Sequence, residues 1–190
     1  MNIQERFILG VNYWPRRNAM YWWRNFDAGE VRKEFALIHD LGLQVVRLFL
    51  LWDDFQPDPT QVSIQALSDL ISVADIAAEY NLGLDVTFFT GHMSGPNWAP
   101  RWLVGGPFPP PEWKRIVVSN GELVNNGYRN MFHDVAALEA EQILINAVVG
   151  ALKDHPAIWM WNLGNEPDLF AWPNSSIAGK AWVREMVESI

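Results

Sequence analysis

Four nearly continuous apolar runs, each followed by a stretch of helical periodicity, restrict this chain more than any other feature of its sequence. The runs are residues 7–13, 44–50, 84–90 and 157–162. A strand that is apolar on both sides of its pleat needs cover on both faces, which is the habit of parallel strands. The stretches that follow the runs read as helices. Asp27, with Glu30 three residues on, makes a capping-box pattern. Val31, Phe35, Ile38 and Leu41 then recur at helical spacing, and Gly42 stands where a C′ glycine would. Ser63 caps a second helix, whose apolar face is Ile64, Leu67, Leu70, Ile71, Ala74, Ala77 and Ala78, and Asn81-Leu82-Gly83 ends it. A third helix is predicted over 132–152 and a fourth over 178–190. The order β-α-β-α-β-α-β-α predicts an α/β fold of parallel strands joined by right-handed crossovers.

The polar residues fall at particular places in this pattern. The fourth run ends in Trp161-Asn162-Leu163-Gly164-Asn165-Glu166-Pro167. Proline is tolerated at a strand's first residue, so Pro156 does not spoil the run. Gly164 and Pro167 turn the chain after it. Glu166 is thereby expected at the mouth of a buried strand, beside a side-chain amide and walled by aromatics. A carboxyl half removed from water tends to hold its proton near neutral pH, which a general acid requires. Asn12 and Trp14 stand at the end of the first run, and His92 just past the third. Arg47 interrupts the second run. A charge inside such a strand is costly unless paired, so a carboxylate partner is expected. It is either a structural ion pair or a guanidinium that faces the mouth and orients a catalytic carboxylate.

Residues 161–167, with the units before them, resemble the acid/base signature of the clan A glycoside hydrolases, most closely the cellulase and mannanase families of the family five type. The resemblance implies a TIM (β/α)8 barrel, of which this chain supplies four βα units, the N-terminal half, over residues 1–190. It implies that Glu166 is the acid/base, that Asn165 hydrogen-bonds the sugar's 2-hydroxyl, that His92 contacts substrate, and that Arg47 is the strand-two arginine supporting the site. In the clan a Glu at the end of strand seven is the nucleophile, and no position here corresponds to it. Asp53, Asp54 and Asp168 lie on neighbouring loops, but none where the family places that group. Independent catalysis by the 190 residues is therefore not expected.

The stretch 93–130 is long for a connection and rich in Pro, Gly and Trp. Within it, residues 115–124 read as a small hairpin turning at Asn120-Gly121. Trp98 and Trp102, with Trp172 in the loop after Glu166, are candidate sugar platforms; packing that anchors the loops is the other reading. The chain has 11 Trp, which suits stacking on sugar rings as well as it suits a large aromatic core.

Composition excludes several classes. A net charge of -8 argues against a nucleic-acid partner. No apolar run approaches the roughly 20 residues of a membrane span. There is no Cys, so disulfides and thiolate metal sites are out. His39, His92, His133 and His155 are scattered without a metal-ligand spacing, and no Gly-rich phosphate loop is present, so neither metal nor cofactor is expected. Residues 1–7 do not read as a signal peptide, which leaves the compartment open. The expected partner is a carbohydrate. A half barrel also bares two sheet edges, so pairing with a missing C-terminal half or with a second copy is expected. A non-catalytic, carbohydrate-binding or self-assembling half-barrel is the alternative function.

Overall fold

The computed structural model describes residues 7–93, 95–108, 117–124 and 129–190. Strand β1 (Gly10–Asn12) leads through a 3-10 turn (Ala19–Tyr21) to α1 (Ala28–Asp40) and β2 (Val45–Leu51). A one-turn helix α2 (Trp52–Phe55) follows, where the sequence reads as loop, then α3 (Ile64–Glu79) and β3 (Gly83–Thr90). Four short strands come next: β4 (Asn97–Trp98), β5 (Val104–Phe108), β6 (Val117–Ser119) and β7 (Glu122–Val124). Helix α4 (Val135–Leu152), strand β8 (Ile158–Asn162), the one-turn α5 (Pro167–Phe170) and α6 (Ser176–Glu188) complete the chain.

The main sheet has four strands in the order β1-β2-β3-β8, all parallel. Each crossover moves one way across the sheet. Right-handed connections that all advance in one direction put every helix on the same face. That is the geometry of the N-terminal half of a (β/α)8 barrel: helices outside, the other face toward the barrel axis. On the helix side, Val46, Leu48 and Leu50 of β2 and Leu84, Val86 and Phe88 of β3 are fully buried. They share one core with Val31 and Phe35 of α1, Leu70, Val73 and Ala77 of α3, and Leu144, Ile145 and Val148 of α4. Helix α4 is long and apolar enough to cross a membrane, but its buried stripe is the reason for its composition, since it packs on this core.

The caps follow the sequence. Asp27 accepts from the Gly29 and Glu30 amides, Ser63 from Ala66, and Asp134 from Ala137. Ser175 accepts from Ala178 and starts α6 two residues before the hydrophobic pattern does. The first strand is shorter than expected. Phe7 and Leu9 are exposed, at 87% and 49%, and only Gly10–Asn12 pairs with β2. Gly83 has a role beyond ending a helix. The strand β8 carries an extra residue at Trp159, where the register with β3 shifts. The Trp159 ring lies over Gly83, and a Cβ there would stand 2.1 Å from it.

The expected hairpin forms. β6 and β7 are antiparallel, and Asn120 and Gly121 both have positive φ, at 51° and 81°, as a type I′ turn needs. The part of the hairpin expected at residues 115–116 lies outside the described residues. β4 pairs with β6, which makes a small three-stranded sheet. The small sheet rests on the C-terminal ends of β2 and β3: Trp98 N–H donates to the Gly91 carbonyl, and Asn120 N–H to Asp53 Oδ2.

Candidate active site

Parallel strands bring the polar markers to one end of the sheet. Asn165 and Glu166 leave β8 through a tight turn, in which Gly164 N–H donates to Asn162 Oδ1. Glu166 has φ 46° and ψ 54°, a left-handed conformation rarely held by a residue with a side chain. Such strain is kept where neighbouring structure over-determines it, often at functional sites. Here Pro167 follows at the first turn of α5. The Asn165 amide is tied on both sides. Its Nδ2 donates to the His92 carbonyl at 3.1 Å and lies 3.4 Å from Glu166 Oε2. His92 is buried, and its Nδ1 is 2.8 Å from Asn97 Oδ1. Gly91 lets the chain pass under Phe170, whose ring would sit 2.9 Å from a Cβ at that position.

One expectation about Glu166 is corrected. It is exposed rather than half-buried. The sheet, His92 and Asn165 flank it from one side, and the described chain does not enclose it.

Arg47 lies on the inner face, opposite Asp85 in the β2–β3 register. Its Nε donates to Thr87 Oγ1 at 2.9 Å and stands 3.8 Å from Asp85 Oδ2. The guanidinium also sits over Phe49, 4.7 Å from the ring centre. Burial pushes the Asp85 carboxyl above its ordinary range, while Arg47 and the Asn162 amide pull it back. The carboxylate that Arg47 was expected to find is therefore Asp85 on the adjacent strand. No ion pair joins Arg47 to Glu166 among the described residues.

The aromatic candidates separate. Trp14 stacks on Phe49, with ring centres 4.7 Å apart and planes 10° from parallel. Asn12 is exposed at the end of β1. Trp172 is 55% exposed, and its carbonyl accepts from Asn130 Nδ2. Trp102 is partly buried, donates from its indole to the Gln56 carbonyl at 2.8 Å and meets Trp52 edge-on. Trp98 is 7% exposed and packs in the core. Of the two readings open for it, this burial favours anchoring.

The structure assembles one cluster that sequence reasoning missed. Arg24, in the loop after β1, bonds Asp54 through Nε and Asp53 through Nη2, the latter at 2.9 Å. Its Nη1 reaches Asn120 Oδ1 at 3.2 Å. Burial raises both carboxyls, and Arg24 opposes it; at Asp53 the Asn120 amide opposes it first. The tandem Asp53-Asp54 after an apolar strand was the available signal, but nothing local points to Arg24. Asn97 was missed as well. Among the described residues no three His, Asp or Glu side chains converge as a metal site would require.

Four parallel strands with outer helices, and an Asn-Glu pair at the end of the fourth, resemble the N-terminal half of the barrels of clan A glycoside hydrolases of the family five type. Solved structures carry the same reading. The GH5_18 protein from Bifidobacterium longum subsp. infantis superposes with a TM-score of 0.79 at 28% identity, over 97% of this chain and 41% of that one. The GH5_18 protein from Streptomyces cattleya, solved in complex with GlcNAc, gives 0.78 at 26% identity, over 96% and 41%. A glutamate-to-alanine variant of that protein was solved in complex with Manβ1-4GlcNAc. The exo-β-1,4-mannosidase Op5Man5 from Opitutaceae bacterium strain TAV5 gives 0.79 at 26% identity, over 97% and 30%. The chain thus spans less than half the length of these three structures. No protein-family model matches the sequence, and no curated protein does.

Proposed function

We propose that these residues form the N-terminal part of a retaining glycosidase acting on β-linked manno- or gluco-oligosaccharides, with Glu166 as acid/base. The observation that carries this is the Asn165–Glu166 pair at the end of the fourth strand, tied across the mouth to His92. In the first step Glu166 gives its proton to the glycosidic oxygen while a second carboxylate attacks the anomeric carbon. In the second step Glu166 takes a proton from water, which hydrolyses the glycosyl-enzyme. The two carboxyls of a retaining pair stand about 5–5.5 Å apart. None of the residues 1–190 is assigned as the nucleophile in this reading. Asn165 binds the sugar's 2-hydroxyl, Arg47 supports the inner face through Asp85, and Trp14, Trp102 and Trp172 are the aromatic candidates that keep some exposed surface. The sugar complexes of the GH5_18 neighbours and the mannosidase activity named for Op5Man5 support a mannoside.

A second reading is a self-associating, sugar-binding half barrel without turnover. Trp159 and Met160 favour it, at 45% and 46% exposure on strand β8. In this reading a second copy covers them.

The test uses the chain alone and the chain fused to the C-terminal part of the Streptomyces cattleya protein. The chain alone is expected to show no turnover. The fusion is expected to cleave β-1,4-mannobiose, and Glu166→Gln to lower this by about a hundredfold to ten-thousandfold. An activated aryl glycoside still forms the glycosyl-enzyme in that variant, so a burst appears, and azide restores turnover. Full activity of the Glu166→Gln fusion on mannobiose overturns the assignment. Turnover by the isolated chain that survives the substitution does the same.

A further inference from the structure

We propose that Asn97 is a positioning residue: its amide oxygen holds His92 in the Nδ1–H tautomer, so that Nε2 faces the mouth as an acceptor for a sugar hydroxyl. Only the last clause rests on the glycosidase reading. Asn97 Oδ1 lies 2.8 Å from His92 Nδ1, and both residues are buried, at 1% and 8% exposure. A carbonyl oxygen can only accept, so the hydrogen of the neutral ring sits on Nδ1 and the lone pair on Nε2. Among the described residues nothing bonds Nε2.

The fold explains how Asn97 is held. It begins β4, where its backbone bridges His92 and pairs with Val117 of β6. The turn after β6 is fastened in its turn to the mouth. Asn120 N–H donates to Asp53 Oδ2 at 2.7 Å, and Arg24 bonds both Asp53 and the Asn120 side chain. The small sheet therefore has a definite task, to deliver one amide oxygen to one ring nitrogen. The backbone of the same histidine sets the next residue of the site, since its carbonyl accepts from the Asn165 amide beside Glu166. The ring of His92 is thus held by Asn97 and its carbonyl by Asn165. A ring whose tautomer is chosen in advance presents an acceptor without a proton rearrangement when the sugar arrives.

The experiment is nitrogen NMR of the whole chain labelled with ¹⁵N-histidine, at mildly alkaline pH where imidazole is neutral. Loss of a signal in His92→Gln assigns it. The wild-type chain is expected to show a pyrrole-type Nδ1 and a pyridine-type Nε2. Asn97→Asp keeps an acceptor that cannot donate, so the Nδ1–H pattern should persist with its proton moved downfield. Asn97→Ala removes the acceptor and should shift the ring toward Nε2–H. A wild-type ring with its hydrogen on Nε2, or no downfield move in Asn97→Asp, overturns the proposal. So does an unchanged tautomer in a folded Asn97→Ala chain; if that variant does not fold, the wild-type and Asn97→Asp spectra decide. Added β-1,4-mannobiose should move the Nε2 signal upfield, and Asn97→Ala should weaken its binding about tenfold, the worth of one hydrogen bond. Binding without any change at Nε2 overturns the acceptor role. No binding, with the tautomer as expected, counts against the glycosidase reading and leaves the positioning of His92 standing.

Discussion

Two glutamates mark the two layers of this molecule, and they differ in every respect that matters. Glu141 sits in α4 with no exposed surface, and its Oε2 accepts from the Trp182 indole of α6 at 2.8 Å. Among the described residues its Oε1 has no hydrogen-bond partner. Burial pushes its carboxyl well above the ordinary range, the Trp182 bond opposes this, and the charge of Glu185 adds to it. Glu166 stands at the mouth, exposed, on a left-handed residue beside an amide. The carboxyl that burial raises thus belongs to the glutamate that packs between helices. A raised carboxyl in a closed layer has no substrate to protonate. The proposed role of Glu166 rests on its position at a strand end, within reach of His92 and Asn165, and not on burial.

The contrast can be broken by substitution. The largest expected effect is on activity. Glu166→Gln in a completed barrel should lower turnover of an unactivated β-glycoside by about a hundredfold to ten-thousandfold. The same change should alter the chain's unfolding free energy by no more than about 0.5 kcal/mol, as exposed substitutions do. Urea titration beside the kinetic assay checks both halves, and a large loss of stability would erase the distinction. Glu141→Ala is expected to do the reverse. It opens a cavity and orphans the Trp182 indole, at a cost of about 2–4 kcal/mol by urea unfolding, without touching sugar binding.

A milder change at the same position sharpens the point. The folded chain holds the Glu141 proton to higher pH than the unfolded chain does. The resulting stability is fully present below the unfolded carboxylate value of 4.5 and is lost as pH rises toward the folded one. The loss runs at no more than about 1.4 kcal/mol per pH unit. Glu141→Gln keeps an acceptor for Trp182 and removes the titration. Its stability should be flatter with pH, with the gap from wild type widening in the variant's favour as pH rises. Parallel curves for the two chains would mean that Glu141 is already ionised when folded. The smallest effect belongs to Val183, next to Trp182 but 47% exposed on the outer side of α6. Val183→Ser should shift stability by less than about 0.5 kcal/mol, and a larger loss would show that this side of α6 is covered.

Much of this was legible before any coordinates. The helix caps at Asp27 and Ser63, the Asn120-Gly121 turn and the order of strands and helices all rest on contacts a few residues long. The gathering of His92, Asn165 and Glu166 at one end also follows from order alone. Parallel strands with crossovers of one hand put every C-terminal strand end on the same side. The periodicity of α6 misled by two residues because its start is set by the Ser175 cap rather than by its apolar face.

What the sequence by itself determined, then, is the α/β order, the helix ends and the side of the sheet that carries the polar residues. These depend on local periodicity and handedness, and both are written along the chain. Only the tertiary structure decided the pairings: Arg47 with Asp85, Arg24 with Asp53 and Asp54, Asn97 with His92, and the Trp159 ring over Gly83. Such partners depend on strand register, on where an extra residue interrupts it, and on how an inserted sheet seats against strand ends. A two-residue alternation is the same for every register that differs by two, so the pattern that announces a strand cannot name the residue standing opposite.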